Sequence, residues 1–404
     1  MVAIVGGATR SLAGCTTNNP SEASMLRVSR FLILGSLLTA CSENMMSPIM
    51  TAPDAAARSA HGGGIAGAVF SETNSPAGNA VLVFGRAADG SLSAPTSVAT
   101  GGTGSGAGLG SQGAVTLSAD ANWLLVVNAG SNEVSSFAVG DGGALTFAGK
   151  ASSGGTMPIS VAIHDDLVYV LNAGGSGNIA GLRLQANGAL VPIAGSSRGL
   201  STSTAGPAQV GFDPSGAWLV VTEKNTNKID TWQVTAAGLA VGRVINAASG
   251  VTPFGFTFTS QGVLAVTEAF GGAADASAVS TYTINSNGTL SVISASTPTT
   301  ETSACWIVAT NNGKFVFSTN ASSASVSGFS ARQGELELLV PGGKSGVTGA
   351  GASDLAITEN SQYLYTLNGG AHTISMFGVS QSRGDLSALG AISVPVGAAG
   401  IAAK

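Results

Sequence analysis

The sequence predicts an all-β fold, a seven-bladed β-propeller whose ring is closed by the C-terminal strand pairing into blade 1. Three observations carry this prediction. The chain holds 58 Gly and only 9% charged residues in 404 positions, a bias toward tight turns between apolar strands. From about residue 64 one unit recurs seven times, and recurrence at this period marks blade architectures. The first unit lacks its opening strand, and the last residues of the chain supply one.

The elements follow in chain order. Residues 26–41 read LRVSRFLILGSLLTAC. Arg27 and Arg30 make a basic start, and Phe31 to Leu38 make an apolar run far below the roughly 20 residues that span a bilayer. The run ends in Leu38-Thr39-Ala40-Cys41, so the segment reads as a signal peptide. It resembles the bacterial lipobox, which implies lipidation at Cys41 and a cell-envelope location on a membrane anchor. Met25 directly precedes this signal and is the expected start. Residues 1–40 are therefore read as extension and leader, 41–63 as a flexible tether, and 64–404 as the propeller. With Cys15 removed and Cys41 acylated, Cys305 is expected to be a buried free thiol.

The clearest repeat is PAQVGFDPSGAWLVVTEKNTNKIDTWQVTAAGLAVGRV at 207–244. Short Val/Leu/Ile/Phe runs bounded by Gly, Asn, Asp and Ser read as strands. Asp213-Pro214-Ser215-Gly216 reads as a tight turn. The residue ending the second strand marks the period: Glu72, Asn128, Asn172, Glu223, Glu268, Asn320 and Asn368. The closing strand is read at Gly397–Ala403, which resembles the opening strands Ile159–Ile163 and Ala208–Phe212.

The stretch FDPSGAWLVVTEKNTNKIDTWQV at 212–234, with its weaker copies, resembles the seven-bladed lactonase family over roughly residues 64–404. That family includes 6-phosphogluconolactonase of the bacterial propeller type and the 3-carboxymuconate lactonizing enzyme, also called a cyclase. The resemblance implies a propeller and lactone chemistry. Members with that chemistry show Gly-Pro-Arg-His before an inner strand and a Glu after the second strand. Here the matching residues are Gly206-Pro207-Ala208-Gln209 and Val221-Thr222-Glu223-Lys224. Gly, Pro and Glu match, whereas Ala208 and Gln209 replace the Arg and the His. Lactone opening needs a cation for the acidic substrate and a group titrating near neutrality. Glu223 alone retains a general acid/base role.

In an antiparallel blade the inner strand starts on the face where the second strand ends. The seven period residues are therefore expected around one central mouth, joined by Gln209, Phe254, Trp306 and Asp354. Glu223 and Glu268 are the candidate catalytic carboxylates, and Gln209, Asn128, Asn172, Asn320, Asn368 and Trp306 the candidate ligand-binding residues. The competing reading makes the period residues turn-bonding groups. No cofactor is required, although two facing carboxylates with Asn carbonyls could take Ca²⁺ through oxygen. Of the histidines His61, His164 and His372, only His372 lies at the mouth face.

Two motif matches carry nothing. Gly195-Ser196-Ser197-Arg198-Gly199 lacks a strand-turn-helix context. Gly108-Leu109-Gly110-Ser111-Gln112-Gly113 precedes a strand rather than a helix. A formal net charge of −5 excludes a phosphate-backbone partner, so no nucleic acid is expected. The remaining partners are an envelope protein, a glycan or a small molecule. The functional expectation is a lactonase-like scaffold at the envelope, the alternative being an active lactone hydrolase or cyclase using Glu223.

Overall fold

The computed structural model describes residues 64–404. The leader, Cys41, the tether and His61 lie outside the described residues. Within them the chain forms seven antiparallel sheets, each one blade. Blade 4 shows the plan: inner strand Pro207–Phe212, then Trp218–Glu223, Lys228–Val234 and outer strand Ala240–Ala247. In blades 3 and 6 the outer strand is split into two short pieces. Blade 1 begins at its second strand, Gly67–Glu72, and its inner strand is Ala399–Ala403 from the chain end, as the sequence predicts.

The register explains the period residue. Pro158 pairs with Asn172, Pro207 with Glu223 and Pro253 with Glu268. Ala304 pairs with Asn320, Ala352 with Asn368 and Ala399 with Glu72. Proline is tolerated there because the first residue of a strand need not donate to the ladder. A register shift follows in all six blades, between Pro207 and Gln209 in blade 4 and between Ala352 and Asp354 in blade 7. Such a bulge re-aims the next side chain and sharpens the local twist.

One glycine per blade has a steric cause. Gly90, Gly143, Gly188, Gly238, Gly288, Gly334 and Gly384 sit in the turn between third and outer strands, with φ between +77° and +88°. This is a region that residues with a Cβ rarely adopt. A Cβ at Gly188 would also strike Trp123, and one at Gly288 would strike Trp218, each in the preceding blade. The same turns accept hydrogen bonds across blade junctions. Ser136 Oγ donates to Gly188 O at 2.6 Å, Tyr169 OH to Gly238 O at 2.9 Å, and Thr231 Oγ1 to Gly288 O at 2.6 Å. Tyr365 OH donates to Gly90 O at 2.9 Å.

The core lies between blades. Leu124, Val126 and Phe137 of blade 2 pack on Ala68, Phe70 and Val81 of blade 1. Phe315 and Phe317 of blade 6 meet Leu364 and Phe377 of blade 7. Each such buried Val, Leu or Phe side chain contributes roughly 1.5–3 kcal/mol. Cys305 is fully buried and disulfide-bonded, which corrects the expectation of a free thiol. Its partner cysteine lies outside the described residues.

Candidate functional site

The seven period residues are all fully buried. Their side chains turn into the blades rather than onto a central wall, because the inner strand stands between them and the axis. Each finds polar partners there. Asn128 Nδ2 donates to Ser135 Oγ at 2.8 Å, Asn320 Nδ2 to Ser327 Oγ at 2.9 Å, and Asn368 Nδ2 to Ser375 Oγ at 2.8 Å. Asn79 Nδ2 donates to Glu72 at 2.5 Å, and burial pushes the Glu72 carboxyl well above the usual carboxylate range. In these four blades the partner lies seven residues on, across the second hairpin in blades 2, 6 and 7 and within its turn in blade 1. Asn172 donates instead to Ser153 O at 3.1 Å.

Blade 4 places an acid at the partner position, Asp230. Glu223 accepts from Ser201 N at 2.8 Å, from Ser201 Oγ and from Thr226 Oγ1 at 2.6 Å. Asp230 is fully buried beside it, and neither of its oxygens has a hydrogen-bond donor. Burial first, and then the Glu223 charge, push the Asp230 carboxyl up to about 7. Arg243 offsets this only in part, from 3.8 Å. Glu268 is tied separately, accepting from Gly250 N at 2.7 Å, Ser280 Oγ at 2.6 Å and Ser296 Oγ at 2.7 Å. Glu223 and Glu268 are therefore each locked within their own surroundings and share no partner. No group of three or more His, Cys, Asp or Glu side chains able to hold a metal occurs among the described residues.

The mouth is crossed by the chain itself. The segment entering blade 2 reaches over the axis, and Gln112 bridges to blade 6. Its Nε2 donates to Ile307 O at 2.9 Å, and its Oε1 accepts from Ile307 N at 3.1 Å. The Gln112 amide donates to Ala208 O of blade 4 at 3.3 Å. Ser111 Oγ donates to Ile159 O of blade 3 at 2.6 Å. Lys224 Nζ holds Gly110 O at 2.7 Å and lies 4.6 Å from the centre of the Phe254 ring. Burial pulls its ammonium down to about 8. Phe254 stacks edge-on against Trp306 at 4.7 Å, with both rings almost fully buried. Sequence reasoning missed Lys224, Gln112 and Asp230. The signal for the crossing segment was present: 56 residues separate Glu72 from Asn128, the widest of the six intervals.

Beneath that plug lies an axial cavity of about 300 Å³. It runs from Gln112, Gln209 and Asp354 toward the inner-strand ends Leu117, Ala309, Ile357 and Ala403, on the face opposite the one carrying Glu223. Of the candidate ligand-binding residues, Gln209 alone lines it. Gln209 Oε1 accepts from Phe256 N at 2.7 Å. Asp354 Oδ1 accepts from Leu355 N at 2.8 Å, and Oδ2 has no hydrogen-bond partner. Burial pushes this carboxyl up to about 8, against the opposing effect of the Leu355, Gly113 and Ile401 amides. His372 stays in its turn with φ +53° and does not line this cavity.

Comparison with known proteins places the fold. No curated protein matches the chain. A Bacteroides fragilis protein provisionally named a 6-phosphogluconolactonase superposes with a TM-score of 0.66 at 19% identity, over 84% of this chain and 98% of that one. The periplasmic gluconolactonase of Pseudomonas aeruginosa gives 0.65 at 17%, over 81% and 96%. A Lactobacillus plantarum protein gives 0.65 at 16%, over 84% and 99%. At these identities the likeness is one of fold. The model of a lactonase family with a seven-bladed β-propeller matches residues 77–199 and 279–396, more than half of the sequence. The chain belongs to that lactonase seven-bladed β-propeller family.

Proposed function

We propose that this chain is a binding propeller of the lactonase family, held at the cell envelope, rather than a lactone-opening enzyme. The observation that carries this reading is the state of Glu223. It is fully buried, bonded by Ser201 and Thr226, and faced by Asp230. A general acid or base must come within hydrogen-bond reach of the atom it serves, and here the chain's own groups fill that reach. Ala208 and Gln209 bring neither the cation nor the titrating group that lactone chemistry requires.

The second reading, hydrolysis of a small sugar-acid lactone, is favoured by the family and by the names of two structural relatives. Turnover of 6-phosphogluconolactone and gluconolactone decides between them. The rate with protein is expected to equal the spontaneous rate. Turnover that disappears in Glu223→Gln would reverse the conclusion.

The envelope anchor is part of the proposal and rests on residues 26–41. It conflicts with an intrachain disulfide at Cys305, because Cys15 leaves with the leader and Cys41 carries the lipid. Intact mass of the membrane-extracted protein is expected to show a chain that begins at an acylated Cys41. A full-length, unacylated chain two mass units below its reduced form would remove the anchor.

A further inference from the structure

The connections that carry the chain from one blade's outer strand to the next inner strand are short. They take five residues into blades 3, 5, 6 and 1, at 153–157, 248–252, 299–303 and 394–398, against fifteen into blade 2, at 100–114. The long connection begins on the common plan. Gly101 and Gly154 share φ +74°. Thr103 O accepts from Gly130 N at 2.9 Å, as Thr156 O accepts from Gly174 N at 2.8 Å. In blades 3 to 7 a residue with φ between +56° and +68° then leads into the inner strand: Met157, Gly206, Thr252, Ser303 or Gly351. In blade 2 the chain instead leaves the plan at Gly104 and crosses the mouth before it turns into the blade. The other blades are entered without such an excess, so residues 104–112 are an addition to the propeller rather than part of its frame.

We infer that residues 104–112 form an autoinhibitory strap, a displaceable lid that holds the mouth closed against a small carboxylate with an apolar body. The inference rests on the reading of the chain as a binding propeller and names the regulation and ligand class of its mouth. The strap is fastened by polar contacts rather than by a core. Asn74 Nδ2 donates to Ala107 O at 2.7 Å, and its Oδ1 accepts from Ser105 N at 2.7 Å. Gly110, Ser111 and Gln112 add the bonds to Lys224, Ile159, Ala208 and Ile307. Leu109 is the one buried apolar side chain between 104 and 112. Gly104, Gly106, Gly108 and Gly110 leave the backbone free to move. A segment with so few apolar contacts belongs to the low end of local stability and opens without unfolding the blades.

The groups under the strap select the ligand. Lys224 Nζ points into the path of the strap, as its 2.7 Å bond to Gly110 O shows. Among the described residues it forms no ion pair with a carboxylate. A carboxylate oxygen is a stronger partner for an ammonium than a peptide carbonyl, so it can take the place of Gly110 O. The Phe254 ring lies 4.6 Å from that nitrogen, and Trp306 stands edge-on to Phe254. Between these two rings in the fold, a Cβ on Gly255 would strike Gln112 Oε1, so the strap rests directly on this wall. The wall offers apolar surface to the body of the ligand. A cationic ligand would meet Lys224 as a like charge.

Hydrogen exchange of the full chain at one pH, read by mass spectrometry, tests the lid. Peptides covering 104–112 should exchange roughly a hundredfold faster than those covering 219–222 in blade 4. Benzoate should speed exchange in 104–112, because it binds the open form and raises its population. Benzylammonium should not. Lys224→Met keeps an apolar side chain on Phe254 and removes the charge. It should raise exchange of the strap about tenfold and abolish the response to benzoate. In a second variant Gly-Pro replaces residues 104–112, copying Gly206-Pro207 at the entry to blade 4. It should bind benzoate at least about tenfold more tightly than the parent in ligand-observed NMR. Exchange of the strap as slow as that of 219–222 overturns the inference. So do equal benzoate affinities in the parent and shortened chains, a benzoate response that survives Lys224→Met, and a preference for benzylammonium. The exchange results decide the matter even if the shortened chain does not fold. The lactone assay fails or succeeds independently of these outcomes, so the two readings can fall separately.

Discussion

A chain ending at Val394 is expected to lose the propeller altogether. Residues 395–404 provide the whole inner strand of blade 1. Val69 pairs with Ala403, Phe70 with Ala402 and Ser71 with Ile401. The last residue is held in both directions, with Lys404 N donating to Ala68 O at 2.7 Å and Ala68 N donating to Lys404 O at 3.2 Å. Arg86 Nε adds a bond to Lys404 O at 3.1 Å. Ile401 and Ala402 are buried, and the strand also packs beside the inner strands of blades 2 and 7. Its loss exposes a sheet edge, opens the ring at two junctions and uncovers apolar surface on both sides. The combined cost is comparable with the whole stability of a domain, about 5–15 kcal/mol. Unpaired edges of this kind also invite association with other chains. Circular dichroism, sedimentation and thermal melting are the checks. A soluble truncated chain with the parent melting curve would show that the ring does not depend on its closing strand.

The strand pattern and the ring were legible because they rest on local chemistry. The third-to-outer turns need a residue with positive φ and no Cβ, so a glycine recurs at Gly90, Gly188, Gly238, Gly288 and Gly334. The second strands need runs such as Leu124–Val127 and Leu219–Val221 that are buried on both faces. The closing strand was legible because blade 1 starts one strand short. The direction of the period side chains was not legible. Strand position fixes which face of the disc a residue lies near, but the pleat and the bulge decide whether it points at the axis or into the blade. A clue existed in the spacing. Glu72 and Asn79, Asn128 and Ser135, Glu223 and Asp230, Asn320 and Ser327, Asn368 and Ser375 are all seven apart. In blades 2, 4, 6 and 7 a hairpin with a four-residue turn brings such pairs side by side, whereas in blade 1 Asn79 lies within a longer turn. In blade 5 a longer turn moves the partner to Ser280, twelve residues beyond Glu268. The axial plug was hidden for another reason: a Gly-rich stretch has no periodicity, and only long-range bonds such as Gln112 to Ile307 give it a place.

That spacing leads to the second large effect, in blade 4. Where blades 2, 6 and 7 set a serine hydroxyl against the period residue, blade 4 sets Asp230 against Glu223. Two buried acids in contact cannot both ionise cheaply, and the Asp230 carboxyl titrates near 7 in the folded chain against an ordinary value of 3.8. The folded state therefore binds a proton that the unfolded state has already released across this interval. Stability contributed by the group is intact below about pH 4 and falls as pH rises toward 7, after which the loss is constant. Asp354 acts in the same direction over the interval up to about 8. Replacing Asp230 with Asn removes the titration and supplies an N–H for the Glu223 carboxylate, at the expense of the long contact to Arg243. Asp230→Asn should raise unfolding free energy at pH 8 by on the order of 2–4 kcal/mol and change it little at pH 4. Denaturant unfolding at the two pH values measures the difference. An equal gain at both would assign the effect to packing. A loss at pH 8 would mean that Asp230 is held as a carboxylate by Arg243.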